Sequence, residues 1–320
     1  MALQPSANTS GSGNAAIGRL GGAPSKVTIQ GGNGAAVPAT IDSHAVSEPS
    51  LGAAPASASL PADLQDTINA GRMKIASGDG VAARVLLSRA LLDPRASESD
   101  RASLRDDLTT INQDLVFSPR VDPQDPFAYA YTIQPGDRLI KINQREKLGP
   151  DWRLIQRVNH MASAGALSVG NKLKLIRGPF HAVVTKSAFR MDIFMGAADK
   201  PGDWVYVRSF PVGLGENNAT PIGEFRVRPG SKLVNPPWVN PRTGEKFAAD
   251  DPKNPIGEHW IGLEGLGEFA TITGYGVHGT IDPDSIGQQR SMGCVRLRAD
   301  DIAQVYELLG EGVSLVKIQK

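Results

Sequence analysis

One cysteine in 320 residues rules out an internal disulfide, so this chain must hold its fold by packing and hydrogen bonding. That cysteine, Cys294, sits in the run His278-Gly279-Thr280 … Ser291-Met292-Gly293-Cys294-Val295-Arg296-Leu297, sixteen residues after a histidine and two before an arginine. A thiol that performs acyl transfer needs a base, backbone N–H groups to hold an oxyanion, and a scaffold that fixes both. His278 is the candidate base, and the backbone of Met292, Gly293 and Cys294 the candidate oxyanion hole. Arg296 adds a fixed positive charge. A lone cysteine is more often a small buried hydrophobe than a nucleophile. The ordered set of His-Gly, Ser, Gly-Cys and Arg reverses that reading.

The chain is long enough for two or more domains, and its composition changes along its length. Residues 1–60 are rich in Ala, Gly, Ser and Pro and hold no aromatic residue. Such a segment cannot bury enough apolar surface to offset its ordering entropy, so it is expected to be disordered. Residues 61–117 are expected to form an α-helical module. Leu64 and Ile68 share a helix face, Asp79 is a plausible N-cap, and Leu104, Leu108, Ile111 and Leu115 make an amphipathic stripe. A structural spacer or protein-docking role without chemistry is the expectation for this module. Phe117 is the first aromatic residue of the chain, and Pro119, Pro123 and Pro126 mark a stiff linker over residues 118–130.

Residues 131–177 read as strand, helix, helix, strand. From Phe180 onward the period becomes two: Phe189, Met191, Ile193 and Met195 alternate with Arg190, Asp192 and Phe194, and Val205 and Val207 with Tyr206 and Arg208. Short strands separated by Gly/Pro turns predict an antiparallel sheet closing as a barrel or sandwich. Residues 228–258, full of Pro, Gly and Asn, read as a long loop. Asp300 and Asp301 favour a helix start before Ile302, Val305, Leu308 and Leu309, with Gly310 as the stop and a last strand at Val313–Ile318.

The Cys294 run resembles the catalytic signature of the L,D-transpeptidases (YkuD-type domain): His-Gly, a variable loop, then Ser-x-Gly-Cys-hydrophobic-Arg or Asn. Ala219-Thr220-Pro221-Ile222-Gly223-Glu224-Phe225 is similar to the family's Thr-Pro-x-Gly-x-Phe block. Asn254-Pro255-Ile256-Gly257 with Trp260 is similar to its Asn-Pro-Leu-Gly … Trp stretch. The resemblance covers about residues 179–320. One position departs: most members carry a second histidine where this chain has Met292, which puts fine tuning of the thiol in doubt and leaves the base, His278, in place.

The resemblance implies a mainly-β catalytic domain at 179–320, with Cys294 as nucleophile, His278 as base, and Ser291 or the Gly279 carbonyl orienting the histidine ring, Ser291 being favoured. Arg296 either binds a substrate carboxylate or holds the loop in a structural ion pair, the second being favoured. A loop covering the substrate makes Pro236, Trp238 and Asn240 candidates to line the cleft, and Thr220 and Pro221 are expected to touch substrate. The family chemistry implies a thioester at the bond before the terminal D-Ala of a peptidoglycan stem tetrapeptide, resolved by an amine into a 3→3 cross-link, or by water. No cofactor is implied. His44, His160, His181 and His259 are scattered without metal-ligand spacing. Carbapenem β-lactams are the implied acylating inhibitors.

Residues 131–177 resemble a LysM domain, from Tyr131-Thr132-Ile133-Gln134-Pro135-Gly136-Asp137-Arg138-Leu139 to the closing Leu167–Leu175. Such domains bind N-acetylglucosamine-containing glycans, which implies sugar contacts for Gly136, Asp137 and Arg138. The expected fold class is therefore multidomain: a disordered start, a helical module, a βααβ LysM-like domain and a mainly-β sandwich or barrel. Its expected partners are the stem peptides and glycan strands of peptidoglycan.

The net charge of +1 and the absence of a Lys/Arg-rich run give no reason to expect nucleic acid. No apolar stretch is long enough to span a bilayer. The resemblance implies the cell envelope or periplasm, while Met1–Ser6 shows no secretory signal pattern. Two rivals remain at this point: a sortase-like thiol transpeptidase, and a wall-binding scaffold with no catalysis.

Overall fold

The computed structural model describes residues 60–320. Apart from Leu60, the segment expected to be disordered lies outside the described residues. Three helices come first: α1 (Ala62–Ala76), α2 (Gly80–Leu92) and α3 (Glu98–Leu115). Their starts are chemically marked. Asp79 accepts from the Ala82 N–H at 3.1 Å, and Ser97 and Asp100 form a reciprocal capping box. Gly71 sits inside α1 because a Cβ there would lie 2.5 Å from Leu87 on α2. The missing side chain lets the two helices close on each other.

A small unit follows: β1 (Ala128–Thr132), α4 (Leu139–Arg145), α5 (Arg153–Val158) and β2 (Lys172–Ile176). β1 and β2 pair antiparallel from Ala128↔Ile176 to Thr132↔Lys172. Ile133, Leu139, Ile142, Ile155, Leu173 and Leu175 form its own core.

The remaining chain builds β3 (Phe180–Thr185), β4 (Arg190–Met195), β5 (Val205–Pro211), β6 (Leu214–Gly215), β7 (Gly223–Val234), β8 (Trp238–Val239), β9 (Lys246–Phe247), β10 (His259–Gly265), β11 (Gly276–His278), β12 (Gln289–Ser291), β13 (Val295–Arg296), α6 (Ala299–Leu308) and β14 (Leu315–Gln319). Eight of these strands make one curled sheet in the order β13-β11-β10-β7-β14-β3-β4-β5. The expected antiparallel sheet is in fact mixed, since β11 with β13 and β14 with β3 run parallel. Just past β5, Gly213 bridges Arg296 of β13, drawing the two ends of the sheet together. Ile302, Val305, Leu308 and Leu309 of the α6 segment fill the same core as Phe225, Ile261, Val277 and Val316. The long loop expected at 228–258 is shorter than its composition implies: β7 continues to Val234, and β8 and β9 form a hairpin.

The alternation read along β4 predicts one solvent-facing side, yet Met191 to Met195 are all buried. The helical module covers the second face. Phe194, Trp204 and Tyr206 share a core with Leu87, Leu104 and Leu108. The module also satisfies the free edge of β5: Ser88 Oγ accepts from the Tyr206 N–H at 2.9 Å, and Asn112 Nδ2 donates to the Tyr206 and Val207 carbonyls at 2.7 and 3.1 Å. An unpaired edge strand is a template for aggregation, and here side chains close it. The module is therefore an integral cover of the sheet and not a spacer.

The expected stiff linker is likewise packed down. Arg84 and Asp125 form a two-pronged ion pair, with side chains only 0% and 2% exposed. Lys174 Nζ donates to the Leu115 and Ser118 carbonyls at 2.6 and 3.0 Å, capping the end of α3 from β2. Removing one partner of a buried pair leaves an uncompensated charge. Asp125→Ala is therefore expected to lower stability by about 3–5 kcal/mol in urea unfolding followed by circular dichroism. A loss below about 1 kcal/mol would show that Arg84 finds another partner or water.

Candidate active site

Cys294 lies just before β13, in a turn held by Ser291. The Ser291 hydroxyl donates to the Cys294 carbonyl at 2.6 Å and accepts from the Gly293 N–H at 3.1 Å. Gly293 has φ +130, and a Cβ there would come 2.5 Å from the Tyr275 ring. Only glycine fits both the conformation and the close approach.

His278 ends β11. It faces Arg296 across the parallel pairing with β13 and Trp260 across the antiparallel pairing with β10. The Trp260 ring stacks on it, with centroids 5.6 Å apart and planes 19° apart. His278 Nδ1 lies 2.6 Å from the Gly279 carbonyl oxygen. A carbonyl can only accept, so Nδ1 carries the proton and Nε2 keeps its lone pair.

These contacts correct three expectations. Ser291 does not orient the histidine: its hydroxyl is occupied inside the cysteine turn, and the Gly279 carbonyl holds the ring instead. The Gly293 N–H is not available to an oxyanion, because it donates to Ser291. Arg296 makes no ion pair: among the described residues no carboxylate lies within 4 Å of it, and its buried Nε has no hydrogen-bond partner.

His278, Cys294, Arg296, Ser291 and Met292 line one cavity of about 220 Å³, with Trp238, Pro241, Ile256, Trp260 and Tyr275 among its walls. Arg296 is the only residue in this lining with a permanent charge. No hydrogen bond joins the His278 ring to Cys294 Sγ among the described residues. Catalytic hydrogen bonds in free enzymes are often long and tighten when substrate binds. The β8–β9 hairpin forms one wall, with Trp238 stacked on Phe247 at 5.8 Å. Its tip is tied by Arg242 to Glu216, 2.5 Å away, in the turn after β6.

Trp238 lines the cavity. Pro236 and Asn240 serve the loop: the Pro236 carbonyl accepts from Asn254 at 2.9 Å, and Asn240 Oδ1 accepts from the Arg242 N–H at 2.9 Å. Thr220 is 1% exposed and its hydroxyl accepts from the Gly215 N–H at 2.7 Å, so it braces the wall. Neither Thr220 nor Pro221 lines the cavity. Asp137 is turned inward, accepting from Tyr131 Oη at 2.6 Å, the Gln134 N–H at 2.8 Å and Arg145 at 3.1 Å. Its side chain is 3% exposed and cannot contact sugar, whereas Gly136 and Arg138 stay exposed. Sequence reasoning missed Tyr275, Pro241 and Thr273 as lining residues and Trp260 as the ring under His278. Only the pairing of Trp260 with His278 across neighbouring strands could have signalled the last. His181 and His160 serve structure: His181 stacks on Trp204 and bonds Gly196, and His160 bonds Phe117.

Burial sets the charge of the site. It pushes the His278 imidazole down to about 4, with the Arg296 charge assisting and the Gly279 and Ile256 carbonyls opposing. Burial also raises the Cys294 thiol above its ordinary value, against smaller downward pulls from the Gly276 backbone and Arg296. The resting pair at neutral pH is therefore a neutral imidazole and a neutral thiol.

Residues 180–318 match the YkuD family model, described as the L,D-transpeptidase catalytic domain. This part of the chain is a domain of that family. The chain is 31% identical over 100 residues to YqjB of Bacillus subtilis, an assigned L,D-transpeptidase, covering 31% of this chain and 52% of that protein. It thus spans about half the length of that relative. It is 24% identical over 193 residues to the assigned L,D-transpeptidase YkuD of Bacillus licheniformis, covering 57% of this chain and 94% of that one. An L,D-transpeptidase structure from Mycobacterium smegmatis aligns with a TM-score of 0.33 at 20% identity, over 49% of this chain and 65% of that one.

A neutral resting pair has a kinetic signature. Alkylation of Cys294 by iodoacetamide, followed by mass spectrometry, is expected to be slow at pH 7 and to keep rising above pH 9. A plateau reached by about pH 6–7 would instead show a preformed thiolate–imidazolium pair.

Proposed function

We propose that this protein is a cysteine-dependent L,D-transpeptidase acting on peptidoglycan stem peptides in the cell envelope. The observation that carries this reading is one cavity lined by Cys294, by His278 with Nδ1 held by the Gly279 carbonyl, and by an unpaired Arg296. Sγ of Cys294 attacks the carbonyl of the amide between the third stem residue and the terminal D-Ala, and its proton passes to His278 Nε2. The Cys294 N–H supports the developing oxyanion. The carbon–nitrogen bond then breaks, the His278 proton goes to the departing amine, and a thioester remains. An amine of a second stem attacks the thioester, His278 takes the amine's proton, and sulfur leaves and is reprotonated. The product is a 3→3 cross-link. Water in place of the amine trims the stem.

In this reading Arg296 holds the carboxylate of the leaving D-Ala, supported by its place in the cavity lining and its lack of a protein partner. A paired arginine would lose little by ignoring a substrate; an unpaired half-buried one gains a charge-assisted hydrogen bond. Met292 contributes a soft apolar wall beside the sulfur. The βααβ unit at 128–177 is read as a LysM-like glycan-binding module that keeps the enzyme on the wall. With its Asp137 turned inward, any sugar contacts fall to the exposed Gly136 and Arg138 and to neighbouring backbone.

The test is intact-protein mass after incubation with a carbapenem, a strained acyl donor. One adduct is expected on the wild-type protein and none on Cys294→Ala. Arg296→Ala should still form the adduct while its KM for a tetrapeptide donor rises about 10- to 100-fold, the loss of one charged hydrogen bond. Absence of an adduct on folded wild-type protein would sink the catalytic reading and leave a wall-binding role.

A further inference from the structure

The βααβ unit carries a charge surplus that the rest of the chain does not share. Residues 128–177 hold nine Lys and Arg against three Asp and Glu, a surplus of six, in a chain whose net charge is +1. The other 270 residues are therefore net −5. The three acids of the unit are already engaged within it: Asp137 with Tyr131 and Arg145, Glu146 with Tyr129 at 2.8 Å, and Asp151 with Arg153 at 3.1 Å. Of the nine cations, Lys174 is buried and Arg157 is spent on Glu307 of α6. Arg138, Lys141, Lys147, Lys172 and Arg177 are exposed, and among the described residues none has a carboxylate within 4 Å. Lys141 and Arg145 lie one turn apart on α4, and Arg138 is the extended residue just before it.

Exposed like charges repel one another, so a surplus concentrated in fifty residues is a standing cost unless a partner of opposite sign offsets it. A neutral glycan offers no such offset. We propose that the βααβ unit binds its wall polymer electrostatically, through the carboxylates of the stem peptides, and not by sugar contacts alone. The inference rests on the stem peptide being the substrate of the Cys294 cavity. What favours that partner over another polyanion is rigid coupling. The unit is fastened to the catalytic domain through the Asp151 N–H to the Glu307 carbonyl at 2.8 Å and through the Arg157–Glu307 pair. Both therefore engage polymer lying along one body, and the polymer the cavity takes is one that carries carboxylates.

The experiment is pelleting of the full chain with purified insoluble peptidoglycan, and with the same material after its carboxyls have been converted to amides. For the wild-type protein, apparent affinity is expected to fall about tenfold between roughly 0.05 and 0.5 M NaCl, because exposed charges are screened over that range. Amidation should weaken binding to a similar degree at low salt. The double variant Lys141→Glu/Lys172→Glu should lose about five- to tenfold on untreated wall and little on amidated wall. Both side chains are exposed and unpaired, so the fold should survive, and an unchanged carbapenem adduct at Cys294 checks this. Arg89→Glu, an exposed position on α2, controls for net charge alone. Equal, salt-independent binding to both materials would overturn the inference in favour of neutral sugar recognition. So would tighter, competing binding to a phosphate polymer such as polyphosphate. Failure of the transpeptidase reading appears separately, as a missing adduct on wild-type protein.

Discussion

Two backbone hydrogen bonds between Gly213 and Arg296 hold the candidate-site end of this molecule together. The Gly213 N–H donates to the Arg296 carbonyl at 2.9 Å, and the Arg296 N–H to the Gly213 carbonyl at 2.8 Å. β13 is only two residues long and pairs otherwise with β11 alone. Without the clamp from the far side of the sheet, Cys294 and Arg296 would hang on a strand too short to fix them. With it, the cysteine turn is anchored on both flanks, and Ser291 needs only to lock the turn internally. The cost of that use is visible: Ser291 and the Gly293 N–H are taken from chemistry and given to geometry.

The same logic runs through the opposite edge. β5 would be a bare strand, and the sheet would end in unpaired N–H and C=O groups beside a buried aromatic cluster. Ser88 and Asn112 occupy those groups, and Phe194, Trp204 and Tyr206 find their partners in α2 and α3. Lys174 and the Arg84–Asp125 pair then tie the βααβ unit and the segment before it to the same helices. The described residues after Ser57 accordingly form one compact unit, and sequence blocks that look separable are joined by buried polar contacts.

That is also why some of the structure was legible in the sequence and some was not. Periodicity reports what a segment does to its own neighbours, so α3, β4 and the helix at Ala299–Leu308 could be read from Leu104–Leu115, Met191–Met195 and Ile302–Leu309. It is blind to a second layer arriving from sixty residues away or more, which is how both faces of β4 came to be buried. The Pro/Gly/Asn-rich stretch after Val227 hid strand pairing because β7 pairs through its backbone, with exposed side chains at Leu233 and Val234. In the site, the motif put His278, Cys294 and Arg296 close in sequence, and the fold brings them to one cavity with Trp238. The roles of Ser291, Thr220 and Asp137 were not legible, since a hydroxyl or carboxylate near a turn looks the same whether it faces substrate or the backbone N–H groups beside it.

The electrostatics of the cavity follow from burial more than from the identity of any one group. A thiol and an imidazole placed in water near each other can exchange a proton and rest as an ion pair. Here the imidazolium loses more solvation than the Gly279 and Ile256 carbonyls return, with the Arg296 charge disfavouring it further, and the thiolate loses more than the Gly276 backbone and Arg296 return, so both neutral forms prevail. A second histidine at position 292 would add a polarisable ring to that wall; Met292 adds none. In the reaction proposed for this site, the sulfur becomes anionic only while it is bonding to a carbonyl carbon, when charge moves onward to the carbonyl oxygen beside the Cys294 N–H. A site arranged in this way couples proton transfer to attack. The unpaired Arg296 is the counterpart of that restraint. Its charge is not neutralised by the protein, so in the proposed reaction a substrate carboxylate would complete the electrostatics of the cavity.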